Sequence, residues 1–143
     1  MRVRKHCGGF TLIELLVVLI ILGLLAALVG PRLFGRVDTA RQQAAQTQIE
    51  IFSGALDTYR LDNGKYPTTD QGLQALMEKP EDLSNWAGPY LKKEIPRDPW
   101  GNDYVYKSPG EHGDYDITSY GEDGQEGGDG NSTDIVSWKS KDQ

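Results

Sequence analysis

The chain has 143 residues, of which 38% are hydrophobic and 25% charged, which suffices for one modest domain and excludes a large multi-domain enzyme. The formal charge of -6 becomes -9 without residues 1–9, because Arg2, Arg4 and Lys5 leave with them, and this acidity excludes nucleic acid as a partner. The single cysteine, Cys7, follows Arg4, Lys5 and His6 rather than the apolar and small residues that precede a lipoprotein cysteine. A chain cut after Gly9 can form no disulfide.

Residues 8–30, GGFTLIELLVVLIILGLLAALVG, form an apolar run with one charge, Glu14. As a helix, residues 10–30 reach about 30 Å, the thickness of a bilayer's hydrocarbon core. A secretory signal peptide has a shorter apolar stretch, of about 7–15 residues, followed by a small-x-small cleavage site. Here the small pair, Gly8 and Gly9, precedes the run. With no second apolar segment, the chain is expected to cross a membrane once. The flanking charges leave orientation open: Arg2, Arg4 and Lys5 stand on one side, Arg32, Arg36 and Arg41 on the other. A carboxylate within such a helix costs about 2.5–3.5 kcal/mol at mid-membrane and less near an end, so Glu14 calls for a partner or a function. Gly23 and Gly30-Pro31 weaken the helix and bracket a segment that could soften. Alternatively, Gly23 is a packing residue and Pro31 marks the membrane exit.

Beyond Pro31, Ala45, Ile49, Phe52, Leu56 and Tyr59 recur at steps of four and three with polar residues on the other faces, which predicts an amphipathic helix. The two segments abut, so one long helix is expected from about Phe10 to about Asp62. Asn63-Gly64 should cap it and Pro67 prevent its continuation. A short second helix is predicted from a Thr69 or Asp70 N-cap, through Leu73, Leu76 and Met77, to Pro80. Residues 81–103 read as a loop pinned by Trp86, Tyr90, Ile95 and Trp100. Residues 104–106 and 115–120 read as strands joined through Pro109-Gly110, with residues 135–138 as a third. Between the last two lies a loop, residues 121–134, with five acids, five glycines and no base.

No catalytic constellation is visible, and the chain is read as not an enzyme. His112 is the only histidine after the apolar run and reads as a solvated turn residue, and Ser132 has no neighbouring base. The acidic loop has oxygen chemistry suited to calcium, but also reads as a solvated loop. It departs from an EF-hand, with Asp134 at the sixth position and Ser140 at the twelfth, and from a nonapeptide repeat, with Ser132 in place of Asp. A small domain without disulfides gains from a metal staple, and five carboxylates in one loop otherwise repel.

The stretch Gly9-Phe10-Thr11-Leu12-Ile13-Glu14-Leu15 resembles the type IV prepilin signature. YRLDNGKYPTTDQGLQAL from Tyr59 and DPWGNDY from Asp98 are similar to the major pseudopilins of type II secretion systems. The resemblance implies an α+β, type IV pilin-like fold: a long N-terminal helix, its first half transmembrane, packed on a small antiparallel sheet with a calcium-binding loop. It implies a leader at 1–9, a transmembrane half-helix at 10–30 and a periplasmic domain at 31–143. That domain would comprise an amphipathic helix (31–63), a short helix and loop (64–103), then the sheet and acidic loop (104–143). Prepilin peptidase would cut between Gly9 and Phe10 on the cytoplasmic face, and the Phe10 amino group would be methylated. The protein would then sit in the bacterial inner membrane, N-terminus cytoplasmic and C-terminal domain periplasmic.

The function so implied is that of the major subunit of a periplasmic filament driving export of folded proteins across the outer membrane. Its partners would be further copies of itself, minor pseudopilins and the inner-membrane assembly platform, with the outer-membrane secretin and exoproteins engaged indirectly. Glu14 would pair with the Phe10 amino group of a neighbouring copy, and the helix would lose regular structure between Gly23 and Pro31 in the filament. One structural Ca2+ per subunit would be held by the Asp123 and Asp134 side chains and by carbonyls near Tyr120 and Gln125. Ser132 and Thr133 are further candidates, although Thr133 stands where some relatives carry an acid. The alternatives are a type IV pilus subunit, a class that often closes this region with a disulfide, and a membrane-anchored periplasmic enzyme.

Overall fold

The computed structural model describes residues 8–139, with the side chains of residues 31–34 set aside. Arg2, Arg4, Lys5, Cys7 and Ser140, which entered the sequence reading, lie outside the described residues or, for Arg32, outside the described side chains. One helix, α1 (Leu12–Asn63), runs for 52 residues and passes through Gly23 and Gly30-Pro31 without a break in its assignment. The predicted single helix is therefore present. The chain divides into two units, residues up to Val37 and residues from Asp38 onward.

In the first unit, α1 is long and apolar enough to cross a membrane, by length and composition. Every large apolar residue from Phe10 to Val29 is exposed, the least exposed being Val17 at 45%.

In the second unit, the face predicted to be apolar is the one buried: Ala45, Ile49, Phe52, Leu56 and Tyr59 are each at most 1% exposed. The helix ends as its sequence dictates. Gly64 takes φ 76°, a conformation that an L side chain rarely adopts, and its N–H donates to the Arg60 carbonyl at 2.7 Å. The Asn63 amide adds donations to the Tyr59 carbonyl (2.8 Å) and the Tyr90 hydroxyl (3.2 Å).

The predicted second helix is reduced to a 3-10 turn, Leu73–Leu76, and neither Thr69 nor Asp70 caps it; the N-cap position is Gly72. Gly72, at φ 59° and ψ -166°, stands outside the helical region and interrupts the segment just before Leu73. Thr69 is also engaged elsewhere: its hydroxyl donates to the Ser108 carbonyl (3.0 Å) and accepts from the Ser108 N–H (2.9 Å). Thr68 and Gln71 instead bond reciprocally, Thr68 N–H to Gln71 Oε1 at 2.9 Å and Gln71 N–H to Thr68 Oγ1 at 3.3 Å. The loop that follows is held by the expected aromatics. The Trp86 indole donates to the Ala75 carbonyl at 2.9 Å, and Tyr90 meets Trp86 and Tyr59 edge-on with centroids 5.7 and 5.4 Å away.

Three antiparallel strands, β1 (Val105–Lys107), β2 (Asp116–Ser119) and β3 (Ile135–Val136), lie in the order β1-β2-β3. Tyr104, expected in the first strand, instead packs edge-on against Phe52 with centroids 5.1 Å apart. The third strand is shorter than expected because Ser137 bonds differently: its Oγ accepts the Ile117 N–H at 3.0 Å, and its N–H donates to the Ile117 carbonyl at 2.9 Å. All four residues of the central strand are buried.

His112 is an exposed turn residue, as read, but it is not without partners. Its side chain is 45% exposed, yet the ring stacks on Trp138 at 3.8 Å and 3° and lies 3.0 Å, Nδ1 to Oδ2, from the buried Asp116. Sequence spacing misses this because Trp138 reaches His112 only through the sheet. Asp116 also accepts the Glu111 N–H at 2.8 Å. Burial pushes its carboxyl up, but bonds from the His112 ring and from the Glu111 and His112 amides outweigh that and hold it below the ordinary value of 3.8.

Two outcomes are expected. Phe52→Ala leaves a cavity between α1 and Tyr104 and lowers stability by about 3–5 kcal/mol, measurable by near-ultraviolet circular dichroism melts of the full-length chain in detergent. For Asp116, a depressed folded pKa means that its stabilising contribution is complete above about pH 3.8 and is lost as pH falls through the lower folded value. Asp116→Asn should therefore melt lower at neutral pH and show a shallower acid limb; parallel acid limbs in the two chains would contradict this.

Candidate functional site

Two regions carry the expected functional residues. The first is the start of α1. Glu14 Oε2 accepts the Thr11 N–H at 3.0 Å and the Thr11 hydroxyl at 3.1 Å, while Thr11 Oγ1 accepts the Glu14 N–H at 3.3 Å. This reciprocal arrangement is a capping box, which satisfies donors that a helix start leaves open and sets a negative charge at the positive end of the helix dipole. In the single chain the costly carboxylate thus has an internal partner. Thr11 was not singled out from the sequence, although the Thr-x-x-Glu spacing just before an apolar run signals this box. Gly9 and Phe10 precede the helix, and Phe10 is 92% exposed. Gly23 has open space around it, and Pro31 is helical in its backbone.

The second region is the acidic loop between β2 and β3. Its two ends are zipped by the Glu122 N–H donating to the Asn131 carbonyl at 3.1 Å, and its far side is tied to α1 by the Gln42 amide donating to the Gly130 carbonyl at 2.9 Å. Asp123 Oδ1 accepts the Gln125 N–H at 3.1 Å, and Asp134 Oδ2 accepts the Gly127 N–H at 2.9 Å. Ser132 ends the 3-10 turn Gly130–Ser132 and Thr133 follows it, their N–H groups donating to the Asp129 and Gly130 carbonyls at 3.1 and 3.3 Å. Asp123, Gln125, Ser132, Thr133 and Asp134 lie on this one segment with Tyr120 immediately before it, and Asp123 and Asp134 each commit one oxygen to the loop's own backbone.

The donor set fits a hard cation on one observation: Asp134 Oδ1 is buried and has no hydrogen-bond partner. A buried carboxylate oxygen without a donor is destabilising, and a cation removes the penalty. Among the described residues no group of three or more His, Cys, Asp or Glu is arranged to hold a metal. Any site here therefore depends on backbone carbonyls, which calcium accepts and softer metals do not favour.

A buried polar centre beside this loop escaped the sequence reading. Asp98, 4% exposed, accepts the Trp100 and Asn102 N–H groups on Oδ1 at 3.1 and 2.8 Å and the Ser119 hydroxyl on Oδ2 at 2.7 Å. Burial first, and the Asp98 charge second, push the Tyr104 phenol up to about 12, so it stays neutral. The DPWGN turn has a local signal in Pro99 and Gly101, but its bond to Ser119 is a tertiary contact.

Two family models match the chain. One, described as type II secretion system protein G, spans residues 32–138, and the other, the prokaryotic N-terminal methylation motif, spans residues 4–30. The chain is 51% identical to the type II secretion system core protein G of Vibrio cholerae over 99% of its own length and 97% of that protein's. It is 48% identical to the protein of the same description from Pseudomonas aeruginosa, over 94% and 97% of the two chains. Among solved structures it is similar to the major pseudopilin from the type 2 secretion system of enterohaemorrhagic Escherichia coli, with a TM-score of 0.64 and 40% identity. That match covers 76% of this chain and 95% of the other, and the long helix with its small antiparallel sheet is the shared architecture. The chain belongs to the type II secretion system protein G family.

Proposed function

We propose that this chain is the major structural subunit of a type II secretion pseudopilus, a periplasmic filament that drives export of folded proteins across the outer membrane. The observation that carries the reading is α1 from Leu12 to Val29: apolar, exposed along that whole stretch and charged only at Glu14. That surface is exposed among the described residues, so it requires lipid before assembly and other copies of itself afterwards. The family assignment favours the secretion filament over a surface pilus, and the subunit works by packing, with no catalysis of its own.

In this reading the leader is removed between Gly9 and Phe10 by prepilin peptidase, and the new Phe10 amino group is methylated. The N-terminus faces the cytoplasm and the domain lies in the periplasm, where minor pseudopilins, the assembly platform, the secretin and the exported proteins are met. The Thr11–Glu14 box holds the carboxylate while the subunit is in lipid. On assembly the positively charged Phe10 amino group of a neighbouring copy binds the same carboxylate and sets the register of adjacent helices, and α1 softens between Gly23 and Pro31. Breaking such a pair in a low-dielectric setting leaves one charge unpaired, at a cost of about 3–5 kcal/mol.

One calcium ion per subunit completes the domain. The Asp134 and Asp123 carboxylates and the Tyr120 and Gln125 carbonyls hold it, with Ser132 and Thr133 adjacent, and the ion supplies charge neutralisation and a staple for a loop that carries no base. Asp134 Oδ1, buried and unpartnered, supports this placement.

Glu14→Ala should insert and be processed yet form no filaments when expressed with the assembly machinery and viewed by electron microscopy; normal filaments would refute the assembly role. The full-length chain in detergent should melt at a higher temperature with millimolar calcium, and the gain should vanish in Asp134→Ala. A wild-type chain indifferent to calcium would refute the metal site alone.

A further inference from the structure

The acidic loop is built around a side chain that is not part of it. The Asn102 carboxamide donates from Nδ2 to the Gly121 carbonyl at 2.8 Å. The chain then folds over that carboxamide: a Cβ placed on Gly124 would lie 3.3–3.4 Å from its Oδ1, Cγ and Nδ2. Residues 121–124 therefore wrap the amide, and Asp123 stands within that turn. On the far side Gly121, at φ 65°, is closed in by the returning strand, because a Cβ there would lie 2.8 Å from the Asn131 carbonyl oxygen. Only glycine fits between Asn102 and Asn131.

Asn102 is itself held by a rigid base. Its N–H donates to Asp98 Oδ1 at 2.8 Å and its carbonyl accepts the Asp98 N–H at 2.8 Å, while Asp98 Oδ2 accepts the hydroxyl of the fully buried Ser119. Tyr120 thus lies between two anchored neighbours, Ser119 through its side chain and Gly121 through its carbonyl, and both anchors lead back to the Asp98 turn. The Tyr120–Gly121 peptide is held as well, because the Gly121 N–H donates to Ser119 Oγ at 3.5 Å, and with Gly121 at φ 65° this sets the direction of the Tyr120 carbonyl in the same plane.

We propose that Asn102 is the positioning residue of the calcium loop, aiming the Tyr120 carbonyl and the Asp123 turn at the ion from a support outside the loop. The inference rests on the calcium reading above. Asparagine suits the position because it offers a neutral amide donor on a short side chain; aspartate at the same place has no donor for the Gly121 carbonyl at neutral pH. A ligand set aimed before the ion arrives binds it more tightly, since ordering is not charged against binding.

The test uses the full-length chain in detergent. Calcium affinity is measured by titration calorimetry, and terbium luminescence lifetimes in H2O and D2O count the waters on a bound lanthanide. Asn102→Ala should weaken calcium binding about 10–100-fold and admit more water to terbium than the wild type does, because the Tyr120 carbonyl drifts from the ion. Asn102→Leu, which keeps the side-chain size without the donor, should do the same and guards against collapse of the turn in the alanine variant. A merely structural role would lower the calcium-free melting temperature and leave affinity and hydration unchanged, and that result overturns the proposal while leaving the metal site standing. A wild-type chain that binds no calcium overturns both.

Discussion

Among the described residues every large apolar side chain from Phe10 to Val29 is exposed, and that is the constraint from which the biology of this protein follows. The hydrophobic penalty scales with exposed apolar area, and a helix exposed all round at this length has only two remedies, a bilayer or other helices like itself. A subunit that passes from the first to the second needs no external energy in the packing step beyond what differs between them. Because lipid tails are as apolar as leucine, that difference has to come from shape and from the few polar groups present. Glu14 is the one ionisable group on this surface, which is why the proposed register contact is assigned to it.

The capping box sharpens what that carboxylate does. In the single chain Glu14 is already bonded to the Thr11 amide and hydroxyl. Any group that binds Glu14 from another copy has to compete with these bonds, which are themselves charge-assisted because the acceptor is a carboxylate. In the proposed filament the competitor is the Phe10 amino group, whose full positive charge adds Coulombic attraction that the neutral Thr11 donors lack.

The periplasmic unit meets a different constraint: a domain of this size, without disulfides in the processed chain, has little core to spare. It concentrates its apolar contacts where α1 meets the aromatics of the loop and of the residue before the first strand, with Phe52 against Tyr104 and Tyr59 against Tyr90. Polar centres supply the rest. Asp98 and Asp116 are both buried carboxylates with several donors each, one organising the turn beside the acidic loop and the other holding the hairpin and, through His112, the C-terminal Trp138. The acidic loop is the complementary case, where carboxylates outnumber donors and one oxygen of Asp134 is left without any.

The anchor, the buried face of α1, the Gly64 cap and the three strands were legible in the sequence because each is written in neighbouring residues: an apolar run, a helical period, a glycine before a proline, an alternating stretch. The family signature was equally local, at Gly9 to Leu15. What the sequence misread depended on distance. Thr69 reads as a helix cap but is taken by Ser108, and His112, exposed as its turn sequence suggests, also stacks on Trp138 and meets Asp116. The support for the acidic loop came from Asn102, about twenty residues before it. Local periodicity and composition therefore determined which segments exist and which surface must leave water. Only the tertiary structure decided where each polar side chain is spent, because a donor bonds whichever acceptor the fold brings within 3 Å, and sequence spacing does not record that distance.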